Sequence, residues 1–77
     1  MAKQKEEFVT IVGQRYENGV VSDQRNGIKM KVEDVQLIID AKSRNYLAHS
    51  TVTNVTLVIT RKEYKRVEDL IVKIIFN

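Results

Sequence analysis

Cysteine, proline and tryptophan are absent from this chain, and histidine occurs once, at His49. Without cysteine there can be no disulfide and no thiolate metal site. A lone imidazole cannot build a histidine-rich metal centre, and the carboxylates lack the spacing of a calcium loop, so no metal and no cofactor is expected. Long apolar runs are missing as well. None approaches the roughly 20 residues of a membrane span, and the N-terminal Met1-Ala2-Lys3-Gln4-Lys5-Glu6-Glu7 has no signal-peptide core. A cytoplasmic protein with no membrane partner is the expectation. Catalytic patterns are equally scarce. A nucleophile needs a base that is itself held in place, and His49 sits in a polar stretch without a recognisable partner. The three glycines, Gly13, Gly19 and Gly27, mark turns or a strand bend instead of a phosphate-cradling loop. Glu33-Asp34 and Glu68-Asp69 are sequence neighbours at element boundaries, and this is where bend and cap residues belong. The chain reads as a binding module, not an enzyme.

Seventy-seven residues make one domain, 1–77, opening on a short polar arm over residues 1–7. A chain of this length buries only roughly 60% of the surface its unfolded form exposes. With disulfides and metals excluded, a partner subunit is the remaining way to reinforce so thin a core. Thirteen basic residues against ten acidic ones give a net charge of +3 and an isoelectric point near 9.3, compatible with a polyanionic partner.

The period of two dominates. Phe8, Val9, Thr10, Ile11, Val12 and Tyr16 are β-formers. Asn18-Gly19 then gives the strongest short-range turn signal, because both residues accept positive φ. Val20-Val21-Ser22 resumes the extended pattern. A second Asn-Gly, Asn26-Gly27, opens Ile28-Lys29-Met30-Lys31-Val32, with apolar residues on one face and lysines on the other. Val35 to Ala41 fits a strand through Val35, Leu37 and Ile39, or a short helix through Val35, Ile38 and Ile39; the strand, after a bend near Glu33-Asp34, is favoured. Lys42 to Ser50 reads as a loop and Thr51 to Thr60 as a strand. Thr60-Arg61-Lys62-Glu63 has the form of a capping box and predicts one or two helical turns. Leu70 to Phe76 is expected as a closing strand, apolar on both faces and in need of cover on each.

Val9 to Asp23 resembles the first half of the Sm/LSm fold: a short apolar strand, a Gly turn, then an aromatic-x-Gly-apolar stretch leading to an Asp. Asp23 to Val35 is similar to the pattern that ends the first Sm motif, and Val55 to Arg61 with Leu70 to Phe76 echoes the second. The likeness covers about residues 8–76 and is closest to divergent members such as the ataxin-2 and enhancer-of-decapping LSm domains. It departs from the family where Arg61-Lys62 replaces the Arg-Gly turn, where Lys62 to Asp69 lengthens the insert, and where residues 1–7 leave little room for the N-terminal helix. The resemblance implies a mainly all-β fold, a small, strongly bent five-stranded antiparallel barrel with room for one short helical turn between the last two strands. It also implies a homo-oligomeric ring of about five to seven copies, closed by pairing the last strands, with Val58, Ile71 and Ile75 at the interface.

Two polar groups then become candidate sites for RNA or single-stranded DNA. Asp23, Gln24, Arg25 and Asn26 match the family's base-reading loop, in which Arg25 stacks and Asn26 donates and accepts. Arg61, Lys62, Tyr64 and Lys65, with Arg66, form a basic run with one aromatic interleaved, and repetition around a ring would focus positive potential on the pore. A role in RNA or DNA processing follows from that reading. Two alternatives lack nucleic-acid binding: a structural or protein-interaction module using apolar edges, and a small phage- or plasmid-type regulatory protein.

Overall fold

The computed structural model describes residues 7–76. The polar arm expected over 1–7 therefore lies, but for Glu7, outside the described residues. Two long strands, β1 (Phe8–Glu17) and β2 (Val20–Lys31), form a hairpin turned at Asn18-Gly19. Both turn residues take left-handed φ, 52° and 79°, as a two-residue hairpin turn twisted to match its strands requires. Pairing runs from Phe8↔Lys31 to Gln14↔Arg25 and resumes at Tyr16↔Val21. Between these points Ser22, Asp23 and Gln24 all lie opposite Arg15, which is a β-bulge. The Gln14 side-chain amide donates to the Ser22 carbonyl at 3.1 Å, and the Gln24 N–H donates to Ser22 Oγ at 3.2 Å, so the bulge is tied down.

A 3-10 turn at Val32–Asp34 leads into β3 (Val35–Asp40), β4 (Asn45–Ser50) and β5 (Thr56–Ile59), and the chain ends in helix α1 (Arg61–Phe76). The strands form one antiparallel sheet in the order β2-β1-β5-β4-β3. The protein is mainly β, as expected, with five antiparallel strands. Since β2 and β3 are edges that do not pair with each other, the sheet is open and not a closed barrel.

Three sequence expectations are corrected here. Leu70 to Phe76 is not a closing strand: it is the C-terminal half of α1. The fifth strand comes instead from Asn45–Ser50, read above as loop. Asn26-Gly27 is no turn, because both residues lie inside β2, opposite Gly13 and Val12. The ring interface loses its basis at the same point. Val58 belongs to a central strand flanked on both sides, by Gln14 and Leu47. Ile71 packs against the core and Ile75 is exposed on the helix, so there is no last strand for a neighbouring copy to pair with.

Alternation sets the core. Val9 and Ile11 of β1, Met30 of β2, Ala48 of β4, and Leu57 and Ile59 of β5 point to one face, and Val32 closes one end. Tyr64, Val67, Ile71 and Ile74, spaced at helical intervals, lay α1 over that face, with Leu70 beside them. Each such side chain taken from water contributes about 1.5–3 kcal/mol. The two-faced greasiness of Leu70 to Phe76 thus has a partly internal explanation: Leu70, Ile71 and Ile74 face the sheet, while Val72, Ile75 and Phe76 stay exposed.

The start of α1 also solves a backbone problem. The backbone of Val32 donates to Glu7 O, which by alternation aims Glu7, Val9 and Ile11 at β2 and Thr10, Val12 and Gln14 at the other edge of β1. β5 pairs only with Gln14–Tyr16, leaving Thr10 and Val12 without a strand. Two helix side chains take its place. Glu63 Oε2 accepts from the Val12 N–H at 2.8 Å, and Arg66 Nη2 donates to the Thr10 carbonyl at 2.8 Å. The pair is locked by Arg66 Nε to Glu63 Oε1 at 2.9 Å and Arg66 Nη2 to Glu63 Oε2 at 2.6 Å. Thr60 caps the helix as the sequence suggested, Oγ1 accepting from the Glu63 N–H at 3.0 Å.

Bonding to Arg66, helped by the Val12 N–H and opposed by partial burial, holds the Glu63 carboxyl below its ordinary value of 4.5. A carboxyl depressed on folding adds stability that is complete above the unfolded value and lost as pH falls through the folded one. Glu63→Gln is therefore expected to lower the urea midpoint at pH 7, by the equivalent of about 1 kcal/mol since water can reach this edge. The same variant should lose less stability than the wild type below pH 4.5. Parallel acid profiles for the two proteins would remove Glu63 from this role.

Candidate nucleic-acid interface

Among the described residues, the helix covers one face of the sheet and leaves the other bare. Directly paired residues share a face, so two rows can be traced across it. One runs Arg25, Gln14, Val58, Leu47, Ile38 and the other Val21, Tyr16, Thr56, His49, Gln36. At about 4.8 Å per strand each row spans roughly 20 Å. Along β1 the outward register is Phe8, Thr10, Val12, Gln14, Tyr16, with an exposed aromatic at each end: Phe8 is 44% and Tyr16 42% accessible. His49, expected as a solvated loop residue, is half-buried on β4, and its Nδ1 lies 2.8 Å from Thr56 Oγ1.

Basic residues border this aromatic strand on both sides. On β2, Arg25 stands opposite Gln14 and Lys29 opposite Thr10, with the Lys29 ammonium 5.0 Å from the centre of the Phe8 ring. Lys31 follows, 3.5 Å from Glu33. On the other side α1 begins where β5 parts from β1, and the edge-capping Arg66 meets β1 there, while Arg61 and Lys62 are exposed on the first turn of the helix. Asp40 is the acidic residue in the outward register and lies on β3, the far edge, where the Ser43 hydroxyl donates to it at 2.7 Å. That bond, with the Lys42 and Ser43 backbone N–H groups, holds its carboxyl below the ordinary range. A shallow cleft of about 340 Å³ opens at the hairpin end, between Arg15–Asn18 and Thr53–Thr56.

The structure sorts the residues singled out by sequence. Arg25 lies on the bare face. Asn26 points to the other one, opposite Gly13, while Asp23 and Gln24 sit in the bulge. Arg61, Lys62 and Lys65 are exposed on α1. Tyr64 turns inward: its ring meets Tyr46 edge-on at 5.1 Å between centroids and packs on the core, so it offers no stacking platform. The two groups therefore do not form one loop cluster: one lies on β2 and the other on α1. Phe8, Tyr16 and Lys29 were missed as site residues. Their signal was present, since an eight-residue interval places both aromatics in the same register of one strand.

No helix among the described residues is long and apolar enough to cross a membrane. Comparison with protein-family models, curated proteins and solved structures gives no match.

Proposed function

We propose that this chain is a non-enzymatic module that binds single-stranded RNA or DNA inside the cell, along β1 on the bare face of its sheet. What supports this reading is one arrangement: two exposed aromatic rings on one strand, bordered by Arg25 and Lys29 on one side and by Arg66 on the other. Every base has a π-face, so stacking on Tyr16 and Phe8 tolerates any sequence, while phosphates follow the flanking cations. A duplex would present its backbone, not its bases, to such a surface, and this favours single strands.

Fluorescence anisotropy with labelled oligo-U and oligo-A tests the proposal. Tyr16→Ala is expected to weaken binding by about 1–3 kcal/mol, roughly 5- to 150-fold. Arg25→Ala with Lys29→Ala should reduce the slope of log K against log salt by roughly 1.4, the contribution of two phosphate contacts on a single strand. Lys42→Ala with Lys73→Ala, away from β1, serves as the control. Absent binding at low salt, or equal losses from both pairs, would sink the proposal.

A further inference from the structure

Among the described residues, three stretches of β backbone lack a neighbouring strand, and two are visibly protected. Thr10 and Val12 of β1 are capped by Arg66 and Glu63. The free edge of β2 carries Arg25, Lys29 and Lys31 and is broken by the bulge at Ser22–Gln24; charges and bulges are the usual devices against edge pairing. β3 has neither. Val35-Gln36-Leu37-Ile38-Ile39 contains no charge, no bulge and no proline, and Ile38 and Ile39 are 38% and 60% accessible at the sheet edge.

Which groups are free on β3 follows from the ladder. The Thr51 N–H donates to Asp34 O, and the Ser50 N–H donates to Val55 O. By alternation Asp34, Gln36, Ile38 and Asp40 aim their backbone groups at β4, whereas Val35, Leu37 and Ile39 aim theirs outward. The Val35 N–H is already spent on Val32 O in the 3-10 turn. What remains outward is the Val35 carbonyl together with both groups of Leu37 and both of Ile39.

We propose that β3 pairs antiparallel with β3 of a second copy, about a two-fold axis at Ile38. In that register Leu37 and Ile39 of each copy exchange hydrogen bonds with Ile39 and Leu37 of the other, using only groups that are free. Ile38 meets its own counterpart on the bare face, Gln36 lies opposite Asp40, and Asp34 lies opposite Lys42. The neighbouring register, centred on Leu37, sets Asp34 against Asp40, a like-charge pair that disfavours it. It also calls on the Val35 N–H, which has no hydrogen to give. The chosen pairing covers Ile38 and Ile39, joins the two sheets into one, and makes their bare faces continuous. It does not depend on nucleic-acid binding. An edge-to-edge contact is small, so the dimer belongs among weak interfaces below about 1,200 Å², with a dissociation constant on the order of 10 µM.

Sedimentation of the full chain from about 1 to 500 µM, a range bracketing that constant, is expected to show a monomer–dimer equilibrium. Ile38→Lys places two ammonium groups face to face at the axis and should weaken the dimer at least about tenfold, with an unchanged urea midpoint showing that the fold is kept. Lys42→Glu should weaken it too, and adding Asp34→Lys should restore it. A monomer at every concentration would overturn self-pairing and leave the edge to a strand of another protein. A dimer indifferent to Ile38→Lys would also overturn it, pointing instead to the exposed Val72, Ile75 and Phe76 of α1.

Discussion

Gly13→Ala is expected to destabilise the protein by about 2–3 kcal/mol, whereas Gly27→Ala leaves it nearly unchanged. The two glycines are neighbours across the β1–β2 ladder but differ in what a methyl group would meet. At Gly13 an added Cβ falls 2.7 Å from Ile59 Cγ2, 2.8 Å from the Val58 carbonyl oxygen and 3.1 Å from Leu57 Cβ. The carbonyl belongs to a central strand held by neighbours on both sides, so it cannot retreat without breaking the sheet. Alanine does reduce the freedom of the unfolded chain, but that gain is only about 0.4–1 kcal/mol and loses to the clash. At Gly27 the nearest atom is the Thr10 side-chain methyl at 3.2 Å, on the bare face, where it can swing away. Urea unfolding of both variants tests this contrast, and indistinguishable midpoints would show that β1 does not approach β5 so closely.

Leu57→Ala should have the largest effect of any single truncation, about 2–5 kcal/mol. Leu57 is fully buried on β5, between β1 and β4 and beneath α1, and is paired with Arg15 and Ala48. Its neighbour Ala48 is too small to collapse into the space, so the cavity would persist. At roughly 0.05–0.15 kcal/mol per residue a chain of this size has only about 4–12 kcal/mol in total. One kilocalorie corresponds to about 4–8 °C for a domain this small, so the melting temperature should fall by roughly 10 °C or more. Val52→Ala is the comparison: Val52 is 71% accessible in the β4–β5 turn, and a change there should stay within about 0.5 kcal/mol. Similar losses at the two positions would mean that the core does not centre on Leu57.

The regions legible in the sequence are those where local chemistry and tertiary context agree. Asn18-Gly19 demands a tight hairpin, and the flanking β-formers supply its arms. Thr60-x-x-Glu63 marks a helix start, and Thr60 caps it. Of the residues in the proposed binding surface, Arg25 was singled out in the sequence. Asn26-Gly27 misled because a turn signal is a local preference only. Asn18-Gly19 starts the ladder at Glu17↔Val20, the bulge at Ser22–Gln24 shifts it by two residues, and 26 and 27 then fall opposite Gly13 and Val12, where the ladder outweighs the turn. Asn45–Ser50 looked polar, yet a strand in mid-sheet beneath a helix needs small inward residues, and Ala48 and Ser50 meet that need. Glu63 shows the same limit: its capping-box position was readable, but its engagement of Val12, 51 residues away, was not.

By itself the sequence determined a small, mainly β fold without disulfides, its first hairpin, and the point where its helix begins, because composition, turn chemistry and capping act within a few residues. Only the tertiary structure decided the fate of Leu70 to Phe76. Ile71, Val72, Ile74 and Ile75 satisfy a period of two and a period of 3.6 alike, and their branched side chains favour a strand. The sheet had one apolar face to cover, and a helix presenting Val67, Ile71 and Ile74 covers it where a sixth strand would have left it wet. The same choice put α1 beside the open edge of β1, where Glu63 and Arg66 cap Val12 and Thr10, and left β3, among the described residues, as the edge without such a cover.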